Sequence, residues 1–195
     1  GHVGRAGGGA CPVRGHSNVQ GDRTMGIYEK PTAKLLDRLD QVFDIKCPRE
    51  HCLDVIGSID AMYHGKVKVF FAMGGNFVAA SPDSDFTYEA LSRCDLTVQV
   101  STKLNRSHLI CGREALILPC LGRTEIDMQK MGSQAISVED SMSNVHLSMG
   151  RNPPASSDLL SEPAIVAKLA LATLPSSSIQ WNGYIEDYDR IRDAI

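Results

Sequence analysis

The densest run of chemically capable side chains lies near the start of the chain, at residues 11–26, and reads Cys-Pro-Val-Arg-Gly-His-Ser-Asn-Val-Gln-Gly-Asp-Arg-Thr-Met-Gly. The guanidinium of Arg14 is a fixed fork of hydrogen-bond donors, and the imidazole of His16 changes its charge near neutral pH. The run is too polar and too rich in glycine for a core strand, yet too specific in its order for a linker. We therefore expect this segment to have a chemical role.

A second candidate is the sequence Met73-Gly74-Gly75-Asn76, which follows a run of β-branched and aromatic residues that predicts a strand. Because glycine has no Cβ, the backbone N–H groups around Gly74 and Gly75 can approach a pyrophosphate closely. Taken alone, the motif favours a plain tight turn. A ligand-binding interpretation therefore depends on the rest of the chain.

Predicted helices and strands alternate along the chain. Apolar spacing and capping residues predict helices at residues 32–43, 50–63 and 84–93, from Ser161 through Leu174, and from Tyr184 onward. Strands are predicted at residues 66–71, 95–100 and 115–118, with a fourth, edge strand at residues 134–138. This order predicts one α/β domain over residues 1–195, a Rossmann-like three-layer arrangement with a mostly parallel sheet flanked by helices. Residues 1–30 would be a flexible or cofactor-dependent lead-in.

The predicted loops place the candidate residues at one edge of that sheet. In open α/β sheets, ligands bind beyond the carboxyl ends of the strands, where turns expose backbone N–H groups. Three loops occupy that position, at residues 73–80, 99–106 and 119–125. We expect them to form a single binding edge.

The run at residues 11–26 resembles the segment that enters the cofactor-binding core of molybdopterin oxidoreductases, in particular their formate-dehydrogenase-like branch. The residues that match its Arg-Gly-x-x-Asn-Val-Gln-Gly pattern are Arg14, Gly15, Asn18, Val19, Gln20 and Gly21. Further along, Met73, Gly74 and Asn76 match the family's Met-Gly-x-Asn/Asp turn, and residues 117–119 match its Ile-Leu-Pro strand end. The resemblance extends from about residue 4 to residue 193.

This resemblance implies the central domain of a much larger enzyme, in which two molybdopterin guanine dinucleotides hold molybdenum or tungsten. An iron–sulfur cluster would belong to a separate domain, and residues 1–195 would be inactive without the remaining domains of the polypeptide. No residue of this chain would ligate the metal. The cofactor-binding positions that the resemblance implies are Gly15, His16, Asn18, Val19, Gln20, Gly21, Met73, Gly74, Gly75, Asn76, Gln99, Ser101, Thr102, Pro119 and Glu162.

Two of these positions depart from the family's pattern. Val100 follows Gln99 where the family has an Asp, so Ser101 or Thr102 must replace its acceptor or the contact is lost. Glu162 stands where the family commonly has an Asp, whose carboxylate would suit the neighbouring N1–H and amino group of guanine. The alternative role of Glu162 is a favourable charge at the N-terminus of its helix.

By the same resemblance, Arg14 faces the substrate pocket and is the one candidate catalytic residue. Its fork of donors can orient a small carboxylate substrate. The alternative is a surface arginine near the start of the chain. His16 replaces a Gln of the formate enzymes, and its titratable imidazole leaves open whether formate is the substrate.

Composition excludes several other classes of protein. The chain is 43% hydrophobic and 22% charged with a net charge of −3, which is typical of a soluble protein without nucleic-acid partners. No apolar run approaches the roughly 20 residues of a membrane span, and residues 1–10 show no secretory signal. We therefore expect a cytoplasmic protein. A domain separated from its neighbours exposes apolar surface, so either a dimer of these residues or poor order in the first 20 residues is expected as well.

The six cysteines are scattered along a chain that has neither the small size nor the loop density of a disulfide scaffold, and most are expected to be free thiols. Cys47, His51 and Cys52 could ligate zinc, but no fourth ligand is evident.

Two other function classes stay open. One is a free-standing nucleotide-binding or regulatory α/β module with natural ends, whereas the resemblance predicts that the gene continues beyond both ends. The other is an NAD-dependent Rossmann enzyme, which is disfavoured because no Gly-x-Gly-x-x-Gly follows a strand.

Overall fold

A computed structural model describes residues 1–10, 19–24, 26, 30–140, 142–174 and 176–194. The helices in these ranges are α1 (Val19–Thr24), α2 (Ala33–Phe43), α3 (Val55–Tyr63), α4 (Phe77–Ala80), α5 (Ser84–Ser92), α6 (Glu162–Thr173), α7 (Trp181–Glu186) and α8 (Asp189–Ala194), with a 3₁₀ helix at Arg106–Leu109. The strands are β1 (Val69–Met73), β2 (Leu96–Ser101), β3 (Glu114–Pro119), β4 (Met128–Gln129), β5 (Gly132–Ser133), β6 (Ile136–Glu139) and β7 (Val145–Ser148). None of the helices described is long and apolar enough to cross a membrane.

β1, β2 and β3 form a parallel three-stranded sheet with β2 in the centre. Phe71, Val98 and Leu116 lie in one row across the three strands, which fixes the register. The chain passes from β1 to β2 through α4 and α5, and from β2 to β3 through the 3₁₀ helix. The predicted α/β class is confirmed for this part of the chain.

The main core lies between this sheet and the helices α3 and α5. Ile59 and Met62 of α3 pack with Ala90 and Leu91 of α5, and Phe70 of β1 packs against that cluster. Full burial of a Leu or Met side chain contributes about 1.5–3 kcal/mol each. The core therefore holds the sheet from one side and leaves its carboxyl edge free for the loops.

The predicted fourth strand is wrong as a member of this sheet. Residues 136–139 form β6, which pairs antiparallel with β7 in a separate two-stranded hairpin. β4 and β5 form another small antiparallel pair. The reason is local, because a tight turn after Asp140 returns the chain directly onto β6, whereas a parallel strand needs a long crossover. The sheet is thus parallel over three strands only.

Two helix boundaries also differ from the prediction. The helix predicted from residue 50 begins at Val55, because the Asp54 side chain caps it by accepting the N–H of Gly57 at 2.8 Å. The final helix predicted from Tyr184 is two short helices, α7 and α8, separated by Asp187 in an extended conformation. The helix predicted over residues 84–93 is confirmed as α5.

One carboxylate organises the turn between β6 and β7. Asp140 accepts the backbone N–H groups of Met142 and Asn144 at 2.8 and 3.0 Å, and its other oxygen lies 2.7 Å from Nε2 of His146. The hydrogen bond from His146 and these two backbone bonds lower the pKa of Asp140 to about 2. The turn is thus held by a carboxylate that stays ionised at all ordinary pH values.

A buried polar network joins the last helices to the middle of the chain. The Tyr188 hydroxyl donates to Asp127 at 2.5 Å and lies 2.7 Å from Oγ of Ser161, and the Tyr188 N–H donates to the side chain of Gln134 at 2.8 Å. Burial, followed by the bond to Asp127, raises the pKa of Tyr188 above its ordinary value. The hydroxyl therefore stays a neutral donor that anchors α8 to residues 127–134 and to the start of α6.

The backbone of Gly150 lies very close to the backbone of Glu125. Residues 151 and 152 both donate to the carbonyl of Thr124, and Ile126 donates to the carbonyl of Asn152 at 2.8 Å. This pairing brings Gly150 so near Glu125 that a Cβ at position 150 would overlap the Glu125 backbone. Glycine is thus required here by space.

Gly150→Ala is expected to destabilise the protein by at least about 2 kcal/mol, because the backbone of residues 125 and 150 must separate to admit a Cβ. Urea unfolding measures the change. Gly9→Ala is the matched control, since nothing lies within 4 Å of a Cβ built there. Equal stability of the two variants would contradict the close approach.

The Asp140 carboxyl is expected to titrate near pH 2 by NMR, because its pKa is lowered to about 2 from an ordinary value of 3.8. A depressed folded-state pKa stabilises the fold above the ordinary pKa, and this stability is lost as the pH falls from about 5 toward 2. His146→Ala should raise the titration midpoint, and Asp140→Asn should remove this part of the acid sensitivity. A midpoint that does not move in His146→Ala would refute the assignment.

Candidate functional site

The three loops predicted to form a binding edge do meet at the carboxyl ends of the parallel strands. β1 ends at Met73, whose register partner on β2 is Val100, and Ser101 on β2 is aligned with Pro119 on β3. The N–H of Gly74 donates to the carbonyl of Val100 at 2.8 Å. The first loop is therefore fastened to the central strand at the point where it leaves β1.

The first loop presents unpaired backbone donors. Gly74 and Gly75 both have left-handed backbone conformations, with φ values of 70° and 69°, which only glycine adopts without strain. Nothing lies within 4 Å of a Cβ built on Gly75. Within the described residues, the N–H groups of Gly75 and Asn76 have no acceptor. Successive backbone N–H groups in such a turn form a concavity that suits an anion.

Two side chains from the second loop hold the first loop in place. Asn105 donates from Nδ2 to the carbonyl of Gly75 at 2.8 Å. Ser107 donates to Oδ1 of Asn76 at 2.7 Å, and its oxygen accepts the N–H of Val78 at 3.1 Å. Asn105 also caps the 3₁₀ helix by accepting the N–H of Ser107. The conformation of the glycine turn thus depends on polar contacts across the edge of the sheet.

Gln99 lies behind the loops rather than on their surface. It is only 5% exposed, and its Nε2 donates to the carbonyl of Ser107 at 2.9 Å. His108, which follows Ser107 in the sequence, is also buried, and its Nδ1 accepts the N–H of Asn105 at 3.0 Å. These two side chains hydrogen-bond to the backbone of residues 105 and 107 and so support the second loop. Contact between Gln99 and a ligand stays a prediction.

The other predicted residues of the second and third loops are more exposed. Ser101 donates to the carbonyl of Lys103 at 2.7 Å in a local turn. Thr102 lies next to the third loop, because its methyl carbon would be 3.8 Å from a Cβ at Gly122. Pro119 is exposed at the end of β3. The side-chain hydroxyl of Thr102 has no protein partner within the described residues.

The carboxylate of Glu125 holds the third loop in place through hydrogen bonds to the backbone. Its two carboxylate oxygens accept the N–H groups of Gly122 at 2.6 Å and of Ala155 at 2.9 Å. These two backbone hydrogen bonds lower the pKa of Glu125 below its ordinary value. The carboxylate therefore acts as a brace for the loop.

Glu162 joins this edge from the opposite end of the chain. It is the first residue of α6, it is exposed, and its Oε1 would lie 3.7 Å from a Cβ at Gly74. Burial and the charges of Glu162 and Glu125 raise the pKa of the Cys120 thiol. A cavity of about 90 Å³ is lined by Gly122, Glu125 and Glu162. The carboxylate of Glu162 thus lies close to the glycine turn, and a role of Glu162 in cofactor binding stays a prediction.

The N-terminal candidates are only partly described. Arg14, Gly15, His16 and Asn18 lie outside the described residues. The others, Val19, Gln20 and Gly21, belong to α1, in which Val19 is exposed and Gly21 is buried. Helix α1 lies against β6. The proposed cofactor roles of these residues therefore stay predictions.

Sequence reasoning missed three residues that shape this edge, namely Asn105, Ser107 and Glu125. An asparagine three residues before His108 is a recognisable helix-start signal for a capping box, so the local role of Asn105 could have been found. Its bond to Gly75, and the brace formed by Glu125, join residues 30 apart in sequence. No local pattern signals such pairs.

A metal centre is not evident in the part of the chain that the structure describes, where no group of three or more His, Cys, Asp and Glu side chains could hold an ion. Cys47, Cys52, Cys94, Cys111 and Cys120 carry free thiols.

Comparisons with known proteins match this chain to part of longer proteins. It is 55% identical to an "Uncharacterized oxidoreductase" of Mycobacterium tuberculosis H37Rv over the whole chain, which is 25% of that protein. It is 51% identical to "Protein YdeP" of Escherichia coli K12, again over the whole chain and 26% of that protein. The chain thus spans about a quarter of the length of these curated relatives. No protein-family model matches it.

Two weaker similarities are to proteins whose names state a reaction. Over 55% of the chain, it is 28% identical to the "Putative formate dehydrogenase YrhE" of Bacillus subtilis, covering 12% of that protein. Over 50% of the chain, it is 30% identical to a nitrate reductase of Shewanella frigidimarina, covering 11% of that protein. The chain is thus homologous to part of larger oxidoreductases and has a weaker similarity to these two enzymes.

Asn105→Ala is expected to destabilise the protein by about 1–2 kcal/mol, because it removes a helix cap and the bond to the carbonyl of Gly75. Amide hydrogen exchange at residues 74–78 should become faster in the variant. Leu104→Ala is the control, since Leu104 is 76% exposed. If both variants exchange residues 74–78 at the same rate, Asn105 does not hold the glycine turn.

Proposed function

We propose that this chain is the central, dinucleotide-binding part of a molybdopterin-dependent oxidoreductase. The observation that carries the proposal is the glycine turn at residues 74–75, with its open backbone donors at the carboxyl edge of a parallel sheet. Its support from comparison is the similarity to a formate-dehydrogenase-like protein and to a nitrate reductase over half of the chain. In this proposal the parallel sheet is the centre of a Rossmann-like, three-layer domain.

The donor set at this edge fits a pyrophosphate. The N–H groups of Gly75 and Asn76 are free in the described part of the chain, and no side chain covers Gly75. Lys103, Arg106 and Arg123 lie exposed on the second and third loops and add positive charge. A phosphate group accepts several N–H bonds at once, and nearby cations stabilise its charge. Met73 and Gly74 would set the position of this turn.

Glu162 is proposed to recognise guanine. A carboxylate accepts two hydrogen bonds side by side, which matches the N1–H and the amino group of that base. Its position near Gly74 puts this acceptor next to the proposed pyrophosphate site. Thr102 and Ser101 would supply the acceptor that Val100 lacks. The alternative for Glu162, a favourable charge at the start of α6, is worth about 0.3–1 kcal/mol and needs no ligand.

The chemical step would depend on the cofactor and on the N-terminal run. When bound, the molybdopterin cofactor supplies a metal that exchanges electrons with the substrate. Asn18 and Gln20 are proposed to hold oxygen atoms of the cofactor, and Arg14 is proposed to orient a small anionic substrate. His16 would change the charge and the donor pattern of that pocket with pH. Residues 1–195 alone are expected to be inactive, since the other domains of the longer enzyme complete the site.

The test is made on the intact longer protein that contains these residues, purified from cells able to make the cofactor. We expect molybdenum or tungsten, with about two guanines released per chain by acid. The absence of both metal and guanine would overturn the proposed function and leave a nucleotide-binding α/β module as the alternative.

Glu162→Gln in the same protein is expected to lower the released guanine toward about one per chain, because an amide presents a donor to the donors of guanine. Glu50→Gln is the control, since Glu50 is exposed outside this edge. Unchanged guanine in Glu162→Gln, with normal metal content, would refute the role of Glu162 and leave the proposed function standing.

A further inference from the structure

β3 is an edge strand whose apolar side chains are exposed along its whole length. Leu116, Ile117 and Leu118 are 49%, 46% and 41% exposed. Within the described residues, β3 pairs with β2 and with no other strand. Parallel sheets are normally covered on both faces, so this strand departs from the rule on both of its faces at once.

The backbone of β3 also offers free hydrogen-bonding groups in a known order. The N–H of Glu114 donates to the carbonyl of Asp95 at 3.0 Å, toward β2. Alternate residues of a parallel strand bond to the same neighbour, so positions 116 and 118 also point toward β2. Ala115 and Ile117 therefore direct their N–H and C=O groups outward, away from the sheet.

Between Glu114 and Pro119, the centre of β3 lacks the devices that protect a natural edge. Between Ala115 and Pro119 the strand has no charged residue. Native edge strands usually carry a lysine, an inward-pointing charge or a bulge, because a flat apolar edge pairs with other chains. Pro119 ends the strand without blocking its centre. The strand thus has the character of an interior strand.

One face of the sheet continues this apolar surface. Phe71 is in register with Val98 and Leu116, so Phe71 and Leu116 flank Val98 on the same face. Val98 is buried, whereas Phe71 is 40% exposed. Exposed apolar side chains therefore lie on both sides of Val98 on this face.

We propose that β3 pairs with a further strand from the same polypeptide, contributed by a segment outside residues 1–195. The lengths of the relatives support a partner strand from the same polypeptide. The chain matches them along its whole length yet covers only 25% and 26% of each. About three quarters of each relative is thus available to cover this surface. The segment that fits is a short apolar strand, since the side chains of β3 from Ala115 to Leu118 are apolar on both faces. This pairing does not depend on the proposed cofactor.

The first test is hydrogen exchange at single-residue resolution in the intact longer protein. We expect the amides of Ala115 and Ile117 to exchange at least about 100-fold more slowly than in an unstructured chain. The amides of Leu116 and Leu118 are internal controls, since β2 protects them in either case. Fast exchange at Ala115 and Ile117, with slow exchange at the controls, would overturn the proposal.

A second test separates backbone pairing from side-chain packing. Ile117→Pro removes the outward N–H, and an edge strand tolerates this change whereas an interior strand does not. In the intact protein we expect Ile117→Pro to melt at least about 5 °C lower than Ile117→Ala, which keeps the N–H. Equal melting temperatures would refute the pairing. A wild-type dimer that Ile117→Pro converts to monomer would also overturn it, since the occupant would then be a second copy.

Discussion

The parallel direction of the three strands is the constraint on which the rest of this structure depends. Because β1, β2 and β3 run the same way, their carboxyl ends lie at one edge and deliver three loops to one place. The bond from the Gly74 N–H to the carbonyl of Val100 fixes where the first loop begins. Everything proposed for the site depends on this shared edge.

The loops at that edge hold one another instead of packing into the core. Asn105 and Ser107 position the glycine turn from the second loop, and Glu125 braces the third loop through two backbone N–H groups. Such polar contacts position backbone donors without covering them. The proposed anion site would thus be formed before an anion binds, which would lower the ordering cost of binding.

The sequence predicted the three parallel strands and the turn after the first of them, because both have local signals. The run of β-branched and aromatic residues before Gly74 and the apolar run before Pro119 each indicate a strand that ends at a turn. Glu162 was also expected at this edge, but through the family resemblance and not through any pattern of its own. Its closeness to Gly74 is consistent with that expectation.

The contact partners of two segments could not be predicted from the sequence. Residues 134–138 have the alternation of a strand, yet alternation does not say whether the strand joins the parallel sheet or folds back on β7. Gln99 has the polarity of a surface ligand contact, yet it is buried because the 3₁₀ helix provides a carbonyl for its amide. In both cases the deciding contact is a pairing that the pattern of the segment itself does not indicate.

Ser161 occupies the cap position of α6, yet its hydroxyl bonds to Tyr188 and not to the first turn of that helix. The residue that follows it is Glu162. The placement of the last two helices and the aim of the Glu162 carboxylate are therefore set by the same hydroxyl pair. Replacing Tyr188, which lies between α7 and α8, would therefore act on the carboxyl edge of the sheet through Ser161 and Glu162 without touching any loop there.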